Sequence, residues 1–189
     1  MKKLQKALVM ILSAILCLSF VQSTGIQAQQ TEPEPVTDSV RKEENFNRNW
    51  KFIRRDDPNA FQSDYSDENW YNVCLPHDFS IPYFMEQSFY TGVGWYRKTF
   101  EISADQAQSI VKLDFEGVFH TIDLYINGEK VGTHQGGYTG FEFNITPYIH
   151  EGENILAARV DNTWNPQLAP RAGDHNFTGG IYRNVNLIT

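Results

Sequence analysis

Residues His120 to Gly132 read HTIDLYINGEKVG, and the fold class can be read from this stretch. Ile122, Leu124 and Ile126 alternate with Thr121, Asp123 and Tyr125. A period of two turns one set toward a core and the other toward solvent, which is the pattern of a half-buried β-strand. Asn127-Gly128 follows at once, and Glu129, Lys130 and Val131 resume an extended run. An Asn-Gly pair between two such runs predicts a two-residue hairpin, because both central residues must take positive φ.

The alternation continues on both sides. Upstream, Ile110–Phe115 sets Val111, Leu113 and Phe115 against Ile110, Lys112 and Asp114, and Trp95–Ile102 interleaves bulky apolar residues with Arg97 and Lys98. Downstream, Phe141, Phe143 and Ile145 alternate, and Leu156, Ala158 and Val160 oppose Ile155, Ala157 and Arg159. A last strand is expected over Ile181–Ile188. Helical periodicity is nearly absent, with short turns expected only near Ala104–Ser109 and Thr146–Ile149. Many short strands separated by turn residues predict an all-β chain, built as a two-sheet sandwich or a barrel. Trp50, Trp70 and Trp95 lie in or beside strand-like runs and are expected to pack.

The first residues obey a different rule. Lys2, Lys3 and Lys6 precede an uncharged apolar run from Ala7 to Val21, and Ser23, Thr24, Gly25 and Ala28 follow. Basic, apolar and small, in that order, read as a secretory signal peptide over residues 1–28, which implies an exported protein, periplasmic or extracellular. Residues 29–44 are polar, with Pro33 and Pro35, and are expected to form a disordered leader. One folded domain is then expected over 45–189, with order beginning near Phe46. Cys74 is the one cysteine beyond the signal segment, so no internal disulfide is expected in the mature chain. Flanked by Val73 and Leu75, it is expected to be a small buried residue rather than a reactive thiol.

The chain carries a formal charge of −7, and loss of the three leader lysines makes it more acidic still. No basic run offers a footprint for nucleic acid or for an anionic membrane surface. Catalytic constellations are missing as well. His77, His120, His134, His150 and His175 are scattered without HExxH spacing, no Gly-x-Ser-x-Gly elbow occurs, and Gly92-Val93-Gly94 precedes a strand rather than a helix. No metal ion, cofactor or catalytic residue is therefore expected.

Several segments are nevertheless specific, and their order matters. NFNRNWKF (Asn45–Phe52), LPHDF (Leu75–Phe79) and GWYRKTF (Gly94–Phe100) are followed by LDFEGV (Leu113–Val118) and YING (Tyr125–Gly128). GGYTGF (Gly136–Phe141), VDN (Val160–Asn162) and GGIYRNV (Gly179–Val185) complete the set. Together they resemble the N-terminal sugar-binding domain of glycoside hydrolase family 2, and within it the β-galactosidases. The resemblance implies a jelly-roll sandwich of the galactose-binding type, with carbohydrate and the remaining domains of a parent glycosidase as partners. It also implies a retaining mechanism whose two glutamates lie on a TIM barrel, beyond an immunoglobulin-like domain. Neither glutamate is found in these residues, so no turnover is expected from this chain alone.

The family's jelly roll lends a few side chains to the sugar site. An aspartate six residues before the Gly of the Gly-Ile-aromatic-Arg motif binds substrate hydroxyls, and here it corresponds to Asp174. An ionised carboxylate can accept from two neighbouring hydroxyls at once. A family asparagine near the Gly-aromatic-Tyr strand has no counterpart, since Thr91 takes its place. Trp164, in the Asn162–Pro170 loop, is the candidate for stacking on a sugar ring. His77 with Asp78 is either an oriented pair in a substrate pocket or a brace for the loop after Pro76. Arg171 and Arg183 are candidates for pairing with carboxylates. A stand-alone carbohydrate-binding module, without hydrolase activity, is the alternative to a domain of a larger enzyme.

Export makes a direct prediction. When the full chain is expressed with its leader in a bacterium, N-terminal sequencing of the exported protein should begin at Gln29. A chain retained in the cytoplasm with its first residues intact would contradict the signal-peptide reading.

Overall fold

Asn127 and Gly128 adopt φ of 52° and 84°, so the predicted hairpin forms as expected. It joins β6 (Thr121–Ile126) to β7 (Glu129–Gln135), with Ile126 opposite Glu129. The computed structural model describes residues 41–81, 89–169 and 178–189. The signal-peptide region and most of the expected leader lie outside them. So do Arg171, Asp174 and His175.

The remaining strands are β1 (Glu43–Asn45), β2 (Trp50–Ile53), β3 (Tyr71–Val73), β4 (Val93–Ile102), β5 (Lys112–Phe115), β8 (Phe141–Asn144), β9 (Gly152–Asp161) and β10 (Val185–Ile188). A one-turn helix α1 (Ala104–Ala107) and a 3-10 turn at Thr146–Tyr148 fall where short turns were expected. One sheet has the order β1-β10-β5-β8 and the other β3-β2-β4-β9-β6-β7, with every pairing antiparallel. The chain is a two-sheet jelly-roll sandwich.

Burial along β6 alternates without exception, and Ile122, Leu124 and Ile126 are fully buried. They meet Leu156, Ala158 and Val160 of β9 and Tyr96 and Phe100 of β4 from one sheet, and Leu113, Phe115, Val185 and Leu187 from the other. Each such side chain contributes about 1.5–3 kcal/mol when taken out of water. Asn127 and Asn154 close one end of this core. The Asn127 side chain accepts from the Ile155 N–H (2.9 Å) and donates to Asn154 Oδ1 (2.8 Å) and the Tyr148 carbonyl (2.9 Å).

The outer face of the six-stranded sheet is also covered. Residues 54–70 fold back over it, and Ala60 and Trp70 pack on Val93, Trp95 and Ala157. Arg97, only 2% exposed, fastens that excursion. Its guanidinium donates to Asp67 Oδ2 (3.0 Å) and to the carbonyls of Ala60 (2.7 Å), Gln62 (2.9 Å) and Tyr65 (3.3 Å). Asp56 adds a second clamp by accepting from Trp95 Nε1 (3.2 Å) and from Arg159 Nη2 (2.7 Å). Lys98, on the opposite parity, lies over the Phe46 ring and reaches the Arg48 carbonyl. Burial holds its amine below the usual lysine range.

Three expectations need correction. Cys74 is exposed: Val73 and Leu75 share the inward parity, so the residue between them faces out. Order begins before Phe46, because Glu43–Asn45 pairs with β10 through backbone alone while all three side chains stay exposed. The last strand is shorter than Ile181–Ile188, because residues before Val185 bend away to meet other loops. Arg183 forms no carboxylate pair among the described residues, and its guanidinium lies 5.5 Å from the Tyr182 ring centre.

Arg97→Met should lower the unfolding free energy by about 3 kcal/mol, since it strands three carbonyls and Asp67. Arg97→Lys should recover only part of the loss, because an ammonium lacks the planar fork. Urea titration of the three proteins checks both.

Candidate functional site

The start of β4 and the end of β9 meet at Val93 and Asp161. Just beyond them Asn162, almost fully buried, organises one end of the sandwich. Its N–H donates to the Gly92 carbonyl (3.1 Å) and its Oδ1 accepts from the Gly92 N–H (2.7 Å). Its Nδ2 donates to the Tyr90 carbonyl (3.0 Å) and to Ser80 Oγ (3.3 Å). One side chain thus ties the loop after β9 to two points of the connection between β3 and β4. The VDN triplet is its sequence signal, but nothing local indicates that Asn162 is the residue that does this.

Two further motifs lie side by side at this end. The His77 N–H donates to the Ile181 carbonyl and the Phe79 N–H to the Gly179 carbonyl, both at 2.8 Å. LPHDF and GGIYR therefore run as a short backbone ladder. Asp78 Oδ1 strengthens it by accepting from the N–H groups of Ser80 (2.7 Å) and Gly179 (3.0 Å). Its Oδ2 is buried and has no hydrogen-bond partner among the described residues.

Gly180 sits at φ +115°, where a side chain is strained, and packing adds a second veto. A Cβ there would come within 2.3 Å of the Tyr96 hydroxyl and 2.9 Å of the His77 carbonyl. The glycine of the Gly-Ile-aromatic-Arg motif is thus required by close approach. On its other side Gly180 exchanges backbone hydrogen bonds with Phe119 (2.9 and 3.1 Å).

His77 does not pair with Asp78. Its Nδ1 lies 2.9 Å from the Tyr96 hydroxyl, and its ring packs on Phe52 at 4.6 Å. Burial holds the imidazole below its usual range, and the Asp78 charge offsets only part of that. The ring and the phenol share one hydrogen bond whose direction follows the imidazole tautomer. This is the geometry of a brace. His77 also lines an open groove of about 1050 Å³ with Asp78, Phe79, Arg54, Arg55 and Tyr71, so it borders solvent space as well.

Trp164 is 52% exposed and follows the same organising residue, with the Thr163 carbonyl held 2.8 Å from His120 Nε2. Thr91 lies between the two residues that Asn162 ties down and is exposed. Asp174 lies outside the described residues, and Gly179, five positions later, is bonded to Asp78. No group of three or more His, Cys, Asp or Glu side chains is placed to hold a metal ion among the described residues.

Comparison with known proteins matches this arrangement. Residues 45–189 match the family model described as "Glycosyl hydrolases family 2, sugar binding domain". The chain belongs to that family. A β-galactosidase of Thermoanaerobacter pseudethanolicus is 42% identical over 150 residues, covering 76% of this chain and 20% of that protein. A β-glucuronidase of Formosa agariphila is 35% identical over 174 residues, covering 82% of this chain and 18% of the relative. Among solved structures, β-glucuronidase 2 of Bacteroides uniformis superposes with a TM-score of 0.74 at 36% identity, over 78% of this chain and 18% of the other. The chain thus spans about a fifth of the length of the curated relatives it matches. Within this family 2 domain the ordered motifs acquire physical roles: PHDF and GGIYR form the ladder, and VDN supplies its anchor.

The lowered pKa of His77 has a thermodynamic consequence. Its stabilising contribution is complete above the unfolded value of 6.5 and is lost as pH falls below it, because the unfolded chain binds the proton more readily. His134 is displaced in the same direction by burial. Thermal melts should therefore show stability falling below about pH 6.5, and His77→Gln should flatten the decline without abolishing it.

Proposed function

We propose that this chain is the non-catalytic sugar-binding domain of an exported family 2 glycosidase that hydrolyses β-galactosides by a retaining mechanism. The observation that carries this reading is the ladder between His77–Phe79 and Gly179–Ile181, which fixes the chain five positions after Asp174 in the sequence. In this reading Asp174 accepts hydrogen bonds from two substrate hydroxyls, and Trp164 and His77 border the same end. The domain forms one wall of a sugar site, and the rest of the enzyme supplies the other wall and both glutamates. The galactoside assignment follows the β-galactosidase relative at 42% identity, above the glucuronidases at 34–36%. The signal-like leader supports export.

A stand-alone carbohydrate-binding module is the second reading, and the exposure of Trp164 favours it. Calorimetric titration of residues 29–189 with galactose, lactose and glucuronic acid separates the two, with Asp174→Ala as control. Millimolar or tighter binding abolished by Asp174→Ala would establish an autonomous module that uses this carboxylate. Absence of binding at Asp174 by the folded chain is the result expected of a wall completed elsewhere. A preference for glucuronic acid over galactose would overturn the galactoside assignment.

A further inference from the structure

Tyr138 is held in a way that packing alone does not require. It is 55% exposed, yet the chain just before it is closely held. Gly136 takes φ +139°, and a Cβ on Gly137 would fall 2.3 Å from the Phe119 ring. Gly136 is therefore needed for its backbone conformation, and Gly137 for the backbone to pass over Phe119. The Tyr182 hydroxyl then pins the passage by donating to the Gly137 carbonyl at 2.6 Å. Phe119 meets the Tyr138 ring edge-on, with centroids 5.7 Å apart at 69°. Phe119 is itself bonded through its backbone to Gly180. Three family motifs, GGYTGF, LDFEGV with the residues just after it, and GGIYR, thus converge to present one phenol ring to solvent.

A ring fixed in this manner loses little further freedom when a ligand covers it, which is the condition for useful affinity from a small apolar contact. A cation lies next to the tyrosine that pins this passage. Arg183 lies over Tyr182 with its guanidinium exposed, and no carboxylate among the described residues engages it. Burial and the neighbouring Tyr182 phenol both push the Tyr138 hydroxyl up, so the ring stays neutral across the physiological range. A galactopyranose has a matching surface: its axial hydroxyl gathers a contiguous patch of C–H bonds on one face and leaves hydroxyls around the rim.

Resting on the reading of the chain as a sugar-binding domain, the geometry points to Tyr138 as the stacking platform of a separate carbohydrate subsite, taking a galactopyranose ring with Arg183 donating to its hydroxyls. The subsite is built wholly from described residues and does not need Asp174.

The test is NMR titration of residues 29–189 with methyl β-galactoside and lactose, comparing wild type with Tyr138→Ala, Tyr138→Phe and Asp174→Ala. Urea midpoints would establish that each variant is folded. The expected result is wild-type binding that Tyr138→Phe preserves within about twofold, that Asp174→Ala leaves in place, and that Tyr138→Ala weakens about tenfold. Tyr138→Ala binding as tightly as wild type would overturn the subsite. Binding lost only in Asp174→Ala would overturn it too, while the role proposed for Asp174 would stand. A wild-type chain that binds neither sugar would also remove the subsite, yet leave intact the reading of the domain as one wall of a larger site.

Discussion

The pairing of β4 with β9 over ten residues of each strand is the constraint on which the rest of this domain depends. Ten residues at about 3.3 Å each give a spine of roughly 33 Å. Its inner face supplies much of the core, and its outer face is covered by residues 54–70. Its two ends are capped by asparagines with different tasks. Asn154 ties the hairpin end to the turn at Tyr148–His150, where its Nδ2 donates to the His150 carbonyl at 2.7 Å. Asn162 gathers the loops at the far end. A strand buried on both faces and fixed at both tips delivers side chains to a site without adjustment, which suits a domain that forms part of a binding surface.

Much of this fold was legible because short-range rules dominate a half-buried antiparallel sheet. The strand from Thr121 to Ile126 followed its alternation throughout, and Asn127-Gly128 closed the hairpin it predicted. The three tryptophans read as packing residues are buried. Local pattern failed where burial comes from a third layer. Arg97 and Lys98 look like the polar face of β4, yet both are buried, one beneath residues 54–70 and the other against Phe46. Composition misleads at Cys74, because the parity of Val73 and Leu75 puts the residue between them outside. β1 was hidden because a strand that contributes only backbone carries no hydrophobic signal.

The candidate site was less legible, for a different reason. Its geometry depends on contacts between residues about a hundred positions apart, such as Asp78 with Gly179 and Asn162 with Ser80. Motif order can flag such residues, but it does not say which is an anchor and which is a contact. His77 illustrates the limit. A histidine beside an aspartate suggests an oriented pair, and only the position of the Tyr96 hydroxyl shows that the ring is turned the other way. Trp164 and Tyr138 are both exposed aromatics, yet only Trp164 lies in a loop whose sequence suggests a sugar contact. What distinguishes Tyr138 is the pair of glycines before it, and the need for Gly137 is visible only once the Phe119 ring is in place.

The contact between Gly180 and Tyr96 reaches beyond this one chain. The space a side chain would need at 180 is filled by the Tyr96 hydroxyl, and that same oxygen serves the His77 ring and faces the Ile181 N–H. Replacing the tyrosine with phenylalanine would remove the nearest clash of an alanine at 180, but the His77 carbonyl would still lie 2.9 Å from its Cβ, and the imidazole and the amide would lose their partner. The alanine would still have to adopt a positive φ. No single substitution at these positions is therefore neutral on its own. His77, Tyr96 and Gly180 should therefore change together or not at all as sequences diverge, because each bounds the space of the other two.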